Sequence, residues 1–424
     1  MIKALMEQSL NRWWGASSKQ QKSSEKVSFV DKVKNEKQVE TFRKELFDTL
    51  EQIPEGKEVQ PEWREKVIDQ VKTMESNLSH YNTSLIDFFI DSGYGEVTND
   101  FVNAVKNFDS KMSVLDIFQA IRNVWIMNSI QILYGMEVKL TASIFAYSML
   151  YPYSDNYLDD STISFQDKLD FNQRFLHWIN GEADKPINPV EENIHKLIEM
   201  IEEEYDRGKY PKVYDSLLAI HSAQDQSLIQ QKENTIPYEK DILGISFEKG
   251  GSSVLADAYL VRGDLSLEEA NFMFSYGVLL QLIDDLQDVE EDFSNYHMTI
   301  FSQLENCYKL DKLVYKLVNF IDDFFVNETY FNSEEAVLLK SVIRDCSYIM
   351  LNEAISKQKN RFSKECIRWL EDQAIVRFSY LKKVKKKFQK TYSEEDIMKI
   401  CEVLSADSFD KTLHNAVISG RNRS

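Results

Sequence analysis

The scarcity of turn-forming residues constrains the fold of this chain most. Only 13 glycines and 7 prolines occur among 424 residues, no proline follows Pro237, and after Gly263 only Gly277 and Gly420 remain. All-β folds and doubly wound α/β folds need many tight turns, for which glycine and proline are the usual residues. The sequence therefore predicts long helices, above all in the second half of the chain.

Apolar residues at three- and four-residue spacing support this prediction, as in Ile117–Tyr134. Thr141–Tyr153 is apolar nearly all round, which is typical of a buried central helix. Further helical segments are predicted at Phe165–Trp178, Asn193–Tyr205, Tyr238–Arg262, Leu267–Asp292, Lys309–Val326, Ser333–Gln358 and Arg361–Lys390. We predict an all-α fold: one large helical domain at residues 41–405, a polar and partly mobile N-terminal arm at residues 1–40, and a polar tail at residues 406–424.

The charge balance excludes some partners. The formal net charge is −19, so binding to nucleic acid would work against phosphate repulsion.

The four cysteines are too far apart in sequence for a CxxC metal pair, and we interpret them as reduced core residues. No apolar run reaches transmembrane length and no signal peptide is visible, so we expect a cytoplasmic protein. We expect it to be a monomer or a homodimer.

Two acid clusters follow apolar helices. The first is Ser154–Asp160, in which Asp155 and Asp159 are one helical turn apart, and the second is Gln281–Asp292. Like charges at this spacing repel one another, and the macrodipole disfavours anions at the C-terminal end of a helix. A bound cation would offset both effects, and Mg²⁺ prefers carboxylate oxygens, water and substrate phosphate.

A single acidic motif in so acidic a chain is weak evidence, because paired acids occur by chance. Asp322-Asp323, for example, is interpreted as solvated surface. Two clusters that each end a long apolar helix favour a metal site more strongly. Lys249-Gly250-Gly251 adds a cation beside two glycines, which are tolerable where a helix breaks or where a backbone approaches a ligand. An ordinary helix terminus with a surface lysine is the alternative interpretation.

These residues together resemble the all-helical trans-isoprenyl diphosphate synthase superfamily. The closest resemblance is to class I terpene synthases, the large ones related to tetraprenyl-β-curcumene synthase. It covers roughly residues 115–300 and is carried by Asp155–Asp160, Lys249-Gly-Gly-Ser-Ser and Gln281-x-x-Asp284-Asp285-x-x-Asp288. In that family two acid clusters face each other across a deep apolar cavity and hold Mg²⁺ ions that bind a prenyl diphosphate.

The resemblance implies a Mg²⁺-dependent terpene synthase that ionises a linear all-trans prenyl diphosphate and releases diphosphate and a linear or cyclic terpene. It implies five metal ligands, which are Asp155, Asp159, Asp284, Asp285 and Asp288. It also implies four substrate contacts, which are Lys249, Gln281, Tyr151 and Phe274. Aromatic faces stabilise a carbocation without attacking it, and Tyr151 and Phe274 lie on the helical stripes of Asp155 and Asp288.

Departures from the family pattern leave other functions open. Asn156 stands where an acid is usual, no Arg-Arg pair follows, and the glycine- and arginine-rich N-terminal motif of chain-elongating synthases is missing. These departures argue against condensation of two diphosphates. Asp288-x-x-Glu291-Asp292 nevertheless also resembles squalene and phytoene synthases, so a head-to-head or head-to-tail prenyltransferase stays open. A helical regulatory subunit without catalysis is the third hypothesis.

A basic segment near the C-terminus points to a partner surface. Arg377–Lys390 carries seven basic residues and no acid, with an apolar stripe of Phe378, Leu381, Val384 and Phe388. A helix with a solvated basic face is one interpretation. Peripheral contact with an anionic membrane, where long prenyl substrates partition, is the other.

Overall fold

The computed structural model describes residues 1–21, 26–52, 60–80, 88–89, 91–160, 162–231, 239–304 and 307–391. Within these ranges every regular element is helical, which confirms the predicted all-α class. The side chain of Asp159, residue Cys401 and the predicted polar tail at residues 406–424 lie outside what is described. None of the described helices is long and apolar enough to cross a membrane.

Sixteen α-helices are described. In chain order they are α1 (Ile2–Gly15), α2 (Phe29–Leu50), α3 (Gln60–Asn77), α4 (Tyr94–Phe108), α5 (Val114–Leu133), α6 (Ala142–Asp159), α7 (Phe165–Asn180), α8 (Pro189–Glu204), α9 (Pro211–Ser227), α10 (Ile242–Arg262), α11 (Leu267–Gln287), α12 (Val289–Ser294), α13 (Asp311–Val326), α14 (Glu334–Lys357), α15 (Lys364–Gln373) and α16 (Phe378–Thr391).

The helices group into two compact units, where the sequence predicted one domain at residues 41–405. Unit 1 takes the described residues of 1–23, 129–136 and 141–369. Unit 2 takes those of 24–128, 137–140 and 370–424. The two units are described separately below.

Helix α10 is the central element of unit 1. It packs against α6, α9 and α11, and nearly all of its residues are buried. Helix α11 begins with a capping box, in which the Ser266 side chain accepts from the Glu269 backbone and the Glu269 side chain accepts from the Ser266 backbone. The predicted helix Leu267–Asp292 divides into α11 and α12, because Asp288 has non-helical backbone angles.

The N-terminal residues depart from the predicted polar arm. Helix α1 packs on α10, α11 and α13, with Leu5 and Trp13 buried. The Trp13 ring meets Phe247 edge-on at 6.3 Å and Phe320 at 5.7 Å between centroids. Residues 2–15 are therefore part of the core of unit 1. Residues 29–40 are also ordered in helix α2, which starts at the N-cap Ser28, earlier than expected.

In unit 2 the basic helix α16 is joined to α2 and α15 by hydrogen bonds. The Arg377 backbone N–H donates to Glu36, and its guanidinium pairs with the same carboxylate. The Phe378 N–H donates to Glu371, so the predicted helix Arg361–Lys390 divides into α15 and α16. Phe378, the first residue of the predicted apolar stripe, is fully buried and is not available to a membrane.

Candidate functional site

Two acid-bearing helices pack antiparallel to α10. At one end of α10, the Ser143 hydroxyl near the start of α6 donates to the Leu260 carbonyl at 3.0 Å. Towards the other end, Gly250 of α10 meets Gly277 of α11, and Gln281 lies beside Gly250. The C-terminal ends of α6 and α11 therefore lie at the same end of unit 1. Lys249, in the N-terminal half of α10, lies towards the same end.

The double glycine serves the contact between α10 and α11. A Cβ on Gly277 would lie 2.1 Å from the Gly250 carbonyl oxygen, and a Cβ on Gly251 would lie 2.4 Å from the Phe274 ring. Helix α10 runs through Lys249-Gly250-Gly251 without a break, so the expectation of a helix terminus there is wrong. The glycines bring α11 close to α10, and the fully buried Phe274 packs in this contact.

Asp285 is the most deeply buried acid of the second cluster. It is 4 % exposed, and its Oδ1 accepts from the Gln281 amide at 2.7 Å. No donor among the described residues completes a hydrogen bond to its Oδ2. Burial raises the pKa of Asp285 to about 7, although the Gln281 amide and the nearby Lys249 and Ser246 lower it and Asp284 raises it further.

Two residues that sequence reasoning did not assign extend this cluster. Asp292, one turn after Asp288, has its pKa raised to about 8 by burial and by the surrounding acids Asp285, Asp288, Asp284 and Glu291. Burial lowers the pKa of His297 to about 4, and the nearby Lys249 cation lowers it further. The spacing of Asp292 is visible in the sequence, whereas nothing in the sequence indicates that His297 lies near Lys249 in the fold.

A third missed residue fixes the end of α11. The Gln358 amide donates to the carbonyls of Leu286 at 3.1 Å and Gln287 at 2.9 Å. These carbonyls lack partners within their own helix, and Gln358 itself is almost fully buried. Gln358 therefore holds the helix end that carries Asp284, Asp285 and Asp288.

The first cluster is more open. Asp155 is half-buried and Asn156 is exposed, both in the last turn of α6 after Pro152. Asp160 caps the helix end, and hydrogen bonds from the Thr162 hydroxyl and backbone lower the pKa of its carboxyl. Within what the structure describes, this end has no counterpart to the buried Asp285.

Accessible surface on the three helices follows the predicted stripes only in part, because Phe274, the predicted substrate contact on α11, is buried against α10. On α6 it falls on Tyr147, Tyr151 and Asp155, and on the central part of α10 it falls on Lys249 and Ser253. Towards the end of α11, Gln281 and Asp284 are half-buried and Asp288 is exposed. Each stripe leads from the acid clusters towards the middle of unit 1.

Other aromatic side chains of the region that carries the resemblance lie elsewhere. Phe145 and Tyr276 are buried as core residues, each 4 % exposed. Trp125 belongs to unit 2, where its indole donates to the Thr98 hydroxyl at 2.9 Å and its ring packs on Tyr94. Tyr151 is the most exposed aromatic side chain on the accessible stripes.

No family model, curated protein or solved structure matches this chain. The assignment of function therefore depends on the residues themselves.

The donor set suits a hard cation that keeps much of its own solvent shell. No three His, Cys, Asp or Glu side chains in the described ranges are placed so that they could hold a metal ion by themselves. Mg²⁺ commonly uses one or two carboxylates and completes its shell with water and substrate phosphate. The Asp285 Oδ2, which lacks a hydrogen-bond donor, is an oxygen that such an ion would satisfy.

Proposed function

We propose that this protein is a Mg²⁺-dependent class I terpene synthase that ionises a linear all-trans prenyl diphosphate. One observation carries the proposal: two acid-bearing helix ends lie at the same end of unit 1 as Lys249 of α10. A diphosphate is the ligand that needs both a cation-binding carboxylate set and a lysine in one place.

In this proposal, Asp284, Asp285 and Asp288 hold the metal from α11, and Asp155 and Asp159 hold it from α6. A Mg²⁺ ion held by these carboxylates would supply positive charge where the diphosphate departs. Lys249 carries a compact cation, and no described carboxylate lies within ion-pair distance of its ammonium group. In this proposal that group binds and orients the diphosphate. Tyr151 faces the allylic end of the substrate with its ring.

The test is a product assay with purified protein and Mg²⁺. Farnesyl, geranylgeranyl, geranylfarnesyl and longer all-trans diphosphates are supplied one at a time, while diphosphate release and extracted products are measured by a coupled assay and gas chromatography–mass spectrometry. We expect a terpene from a single substrate and its loss on chelation.

Asp284→Ala should abolish release while the helical circular dichroism is retained. Asp323→Ala on α13 is the matched control, because Asp323 pairs with Arg12 at 3.5 Å and belongs to neither cluster. Substantial product from Asp284→Ala would contradict the proposal. Product that appears only when isopentenyl diphosphate is added would instead identify a prenyltransferase.

A further inference from the structure

A buried glutamine joins α10 to the segment that follows the second acid cluster. Gln230 belongs to the short 3₁₀ helix Leu228–Gln231 after α9 and is almost fully buried. Its side-chain amide donates to the Met298 carbonyl at 2.9 Å and to the Ser246 hydroxyl at 3.3 Å, so both amide protons are used. Its backbone carbonyl accepts from the Met298 N–H at 3.0 Å. Gln230 therefore bonds both backbone groups of Met298 and, at the same time, α10.

The segment around Met298 is in turn tied to the second cluster. The His297 N–H donates to the Asp292 carbonyl at 2.7 Å, which joins the segment to α12. The Ser302 hydroxyl donates to the His297 carbonyl at 2.7 Å. Tyr296 has a φ of 56°, a left-handed conformation that a non-glycine residue keeps only where the surrounding structure holds it. Residues 296–302 thus form a fixed turn, which Gln230 links to α10.

On α10 the link ends at Ser246, one helical turn before Lys249. Ser246 is almost fully buried. A hydroxyl has one proton to donate, and because Gln230 donates to the Ser246 oxygen, that proton is left for another group. Burial raises the pKa of Asp285, and the Ser246 hydroxyl is one of the groups that lower it. Ser246 therefore connects Gln230 to the turn of α10 that carries Lys249 and to the surroundings of Asp285.

Two buried glutamines hold the two sides of the break at Asp288. Gln358 binds the last carbonyls of α11, whereas Gln230 binds the turn that follows α12. Because the backbone is not helical at Asp288, helical hydrogen bonds alone do not fix the angle between α11 and α12. Bonds from outside the two helices therefore set the position of the acids before and after the break.

We propose that Gln230 is a positioning residue of the candidate metal site. The inference rests on the proposed function. Gln230 contacts neither metal nor diphosphate. It holds the turn after α12 against α10, so that the second cluster and Lys249 keep one spacing before the ligands arrive. Replacing a residue that orients metal ligands in this way commonly costs about 10- to 100-fold in metal affinity or activity.

Two measurements separate positioning from stability. Isothermal titration calorimetry with Mg²⁺, in the presence of inorganic diphosphate, gives the affinity of the site without turnover, and thermal melts without Mg²⁺ give the stability. The variants are Gln230→Met, which removes both side-chain donors at similar length, Ser246→Ala and the double variant. Gln8→Met is the matched control, because Gln8 is exposed on α1, which carries no residue of the candidate site.

We expect Gln230→Met to weaken Mg²⁺ binding about 10-fold and to raise the Mg²⁺ concentration for half-maximal diphosphate release by the same factor. Ser246→Ala should weaken binding in the same direction, because it removes the bond to α10. The double variant should bind Mg²⁺ within about 2-fold of Gln230→Met, since the two residues act through one hydrogen bond. The control should match wild type in Mg²⁺ affinity and in Tm.

Wild-type Mg²⁺ affinity in folded Gln230→Met would overturn the inference, and a lower Tm alone would then assign Gln230 a purely structural role. If Gln230→Met does not fold, Ser246→Ala decides in the same way. A wild-type protein that binds Mg²⁺ and diphosphate but turns over no prenyl diphosphate would contradict the proposed function, while calorimetry on the variants would still decide the role of Gln230. If the wild-type protein binds neither, both proposals fail.

Discussion

The two acid clusters occupy the same end of unit 1, but the protein holds them differently. Asp284 and Asp285 lie on α11. Gln358 fixes the end of this helix, and Gly277 on its side contacts Gly250 of α10. Asp155 lies in the last turn of α6, with exposed Asn156 beside it. The second cluster contains the buried carboxylate of Asp285, whereas Asp155 in the first cluster is only half-buried.

The difference in burial between Asp285 and Asp155 predicts different roles for the two clusters. A buried carboxylate without a counter-ion is costly, so Asp285 gains most when a cation arrives. A half-buried carboxylate such as Asp155 loses less without one. We therefore expect the second cluster to bind the first metal ion and the first cluster to complete the site once diphosphate is present.

The largest expected effect comes from removing charge at the buried position. Asp285→Asn keeps the shape and the Gln281 contact but removes the metal-binding charge, so kcat for diphosphate release should fall on the order of 10³-fold. In Asp155→Asn, kcat for diphosphate release should fall only about 10-fold. A stopped assay of diphosphate release measures both, and equal losses would contradict the difference between the clusters.

A smaller but still severe effect should follow from widening the contact between α10 and α11. Gly277→Ala places a methyl group 2.1 Å from the Gly250 carbonyl, so the free energy of unfolding should fall by about 3 kcal/mol. The control is Gly95→Ala in α4, where nothing lies within 4 Å of the added carbon and a gain of about 0.5 kcal/mol is expected. Chemical denaturation followed by circular dichroism gives both values.

The effect of Mg²⁺ on the pH dependence of stability should report the second cluster. The carboxyls of Asp285 and Asp292, with pKa values of about 7 and about 8, bind protons more tightly in the folded chain than in the unfolded chain, where such groups titrate near pH 4. Without Mg²⁺ their contribution to stability is complete below about pH 4 and is lost as the pH rises through 7 and 8. Mg²⁺ should therefore raise Tm more at pH 8 than at pH 6.

Thermal melts at the two pH values, with and without Mg²⁺, measure this effect. Asp285→Asn should weaken the pH dependence of the Mg²⁺-induced shift in Tm, and Asp155→Asn should leave that dependence unchanged. A Mg²⁺-induced shift in Tm that is the same at both pH values would show that protonation of this cluster does not compete with the metal.

The smallest effect is expected from restoring the acid that the first cluster lacks. Asn156→Asp should change diphosphate release by less than about 3-fold, because residue 156 is exposed and an added charge there is well hydrated. Kinetics at several Mg²⁺ concentrations provide the measurement. A gain of 10-fold or more would show that the first cluster limits metal binding.

Periodicity and spacing predicted the helices well. The predicted segment Ile117–Tyr134 appears as α5, and Ser333 caps α14 just where the predicted segment begins. The predicted helix Asn193–Tyr205 starts earlier in the structure, because Asn188 caps a helix that Pro189 begins. Local signals of this kind depend on neighbours along the chain, so they can be read from the sequence.

What the sequence did not reveal depends on residues far apart. The Gly250–Gly277 contact requires knowledge of which helices cross, and the role of Gln358 depends on a carbonyl 71 residues away. Asp322, interpreted as solvated surface, instead accepts hydrogen bonds from Arg344 at 3.1 Å and Tyr348 at 2.9 Å. Long-range packing alone decides which of several similar acid pairs is buried, paired or open.

The position of helix α1 bears on how the chain reaches its fold during synthesis. Ser9 meets Ser275 across 266 residues of sequence, and Trp13 packs between Phe247 and Phe320. During synthesis helix α1 must therefore wait, with Trp13 unburied, until most of unit 1 has been translated. Contacts this distant in sequence also form late in refolding. We therefore expect the packing of Trp13 on Phe247, two residues from Lys249, to be among the last steps of folding.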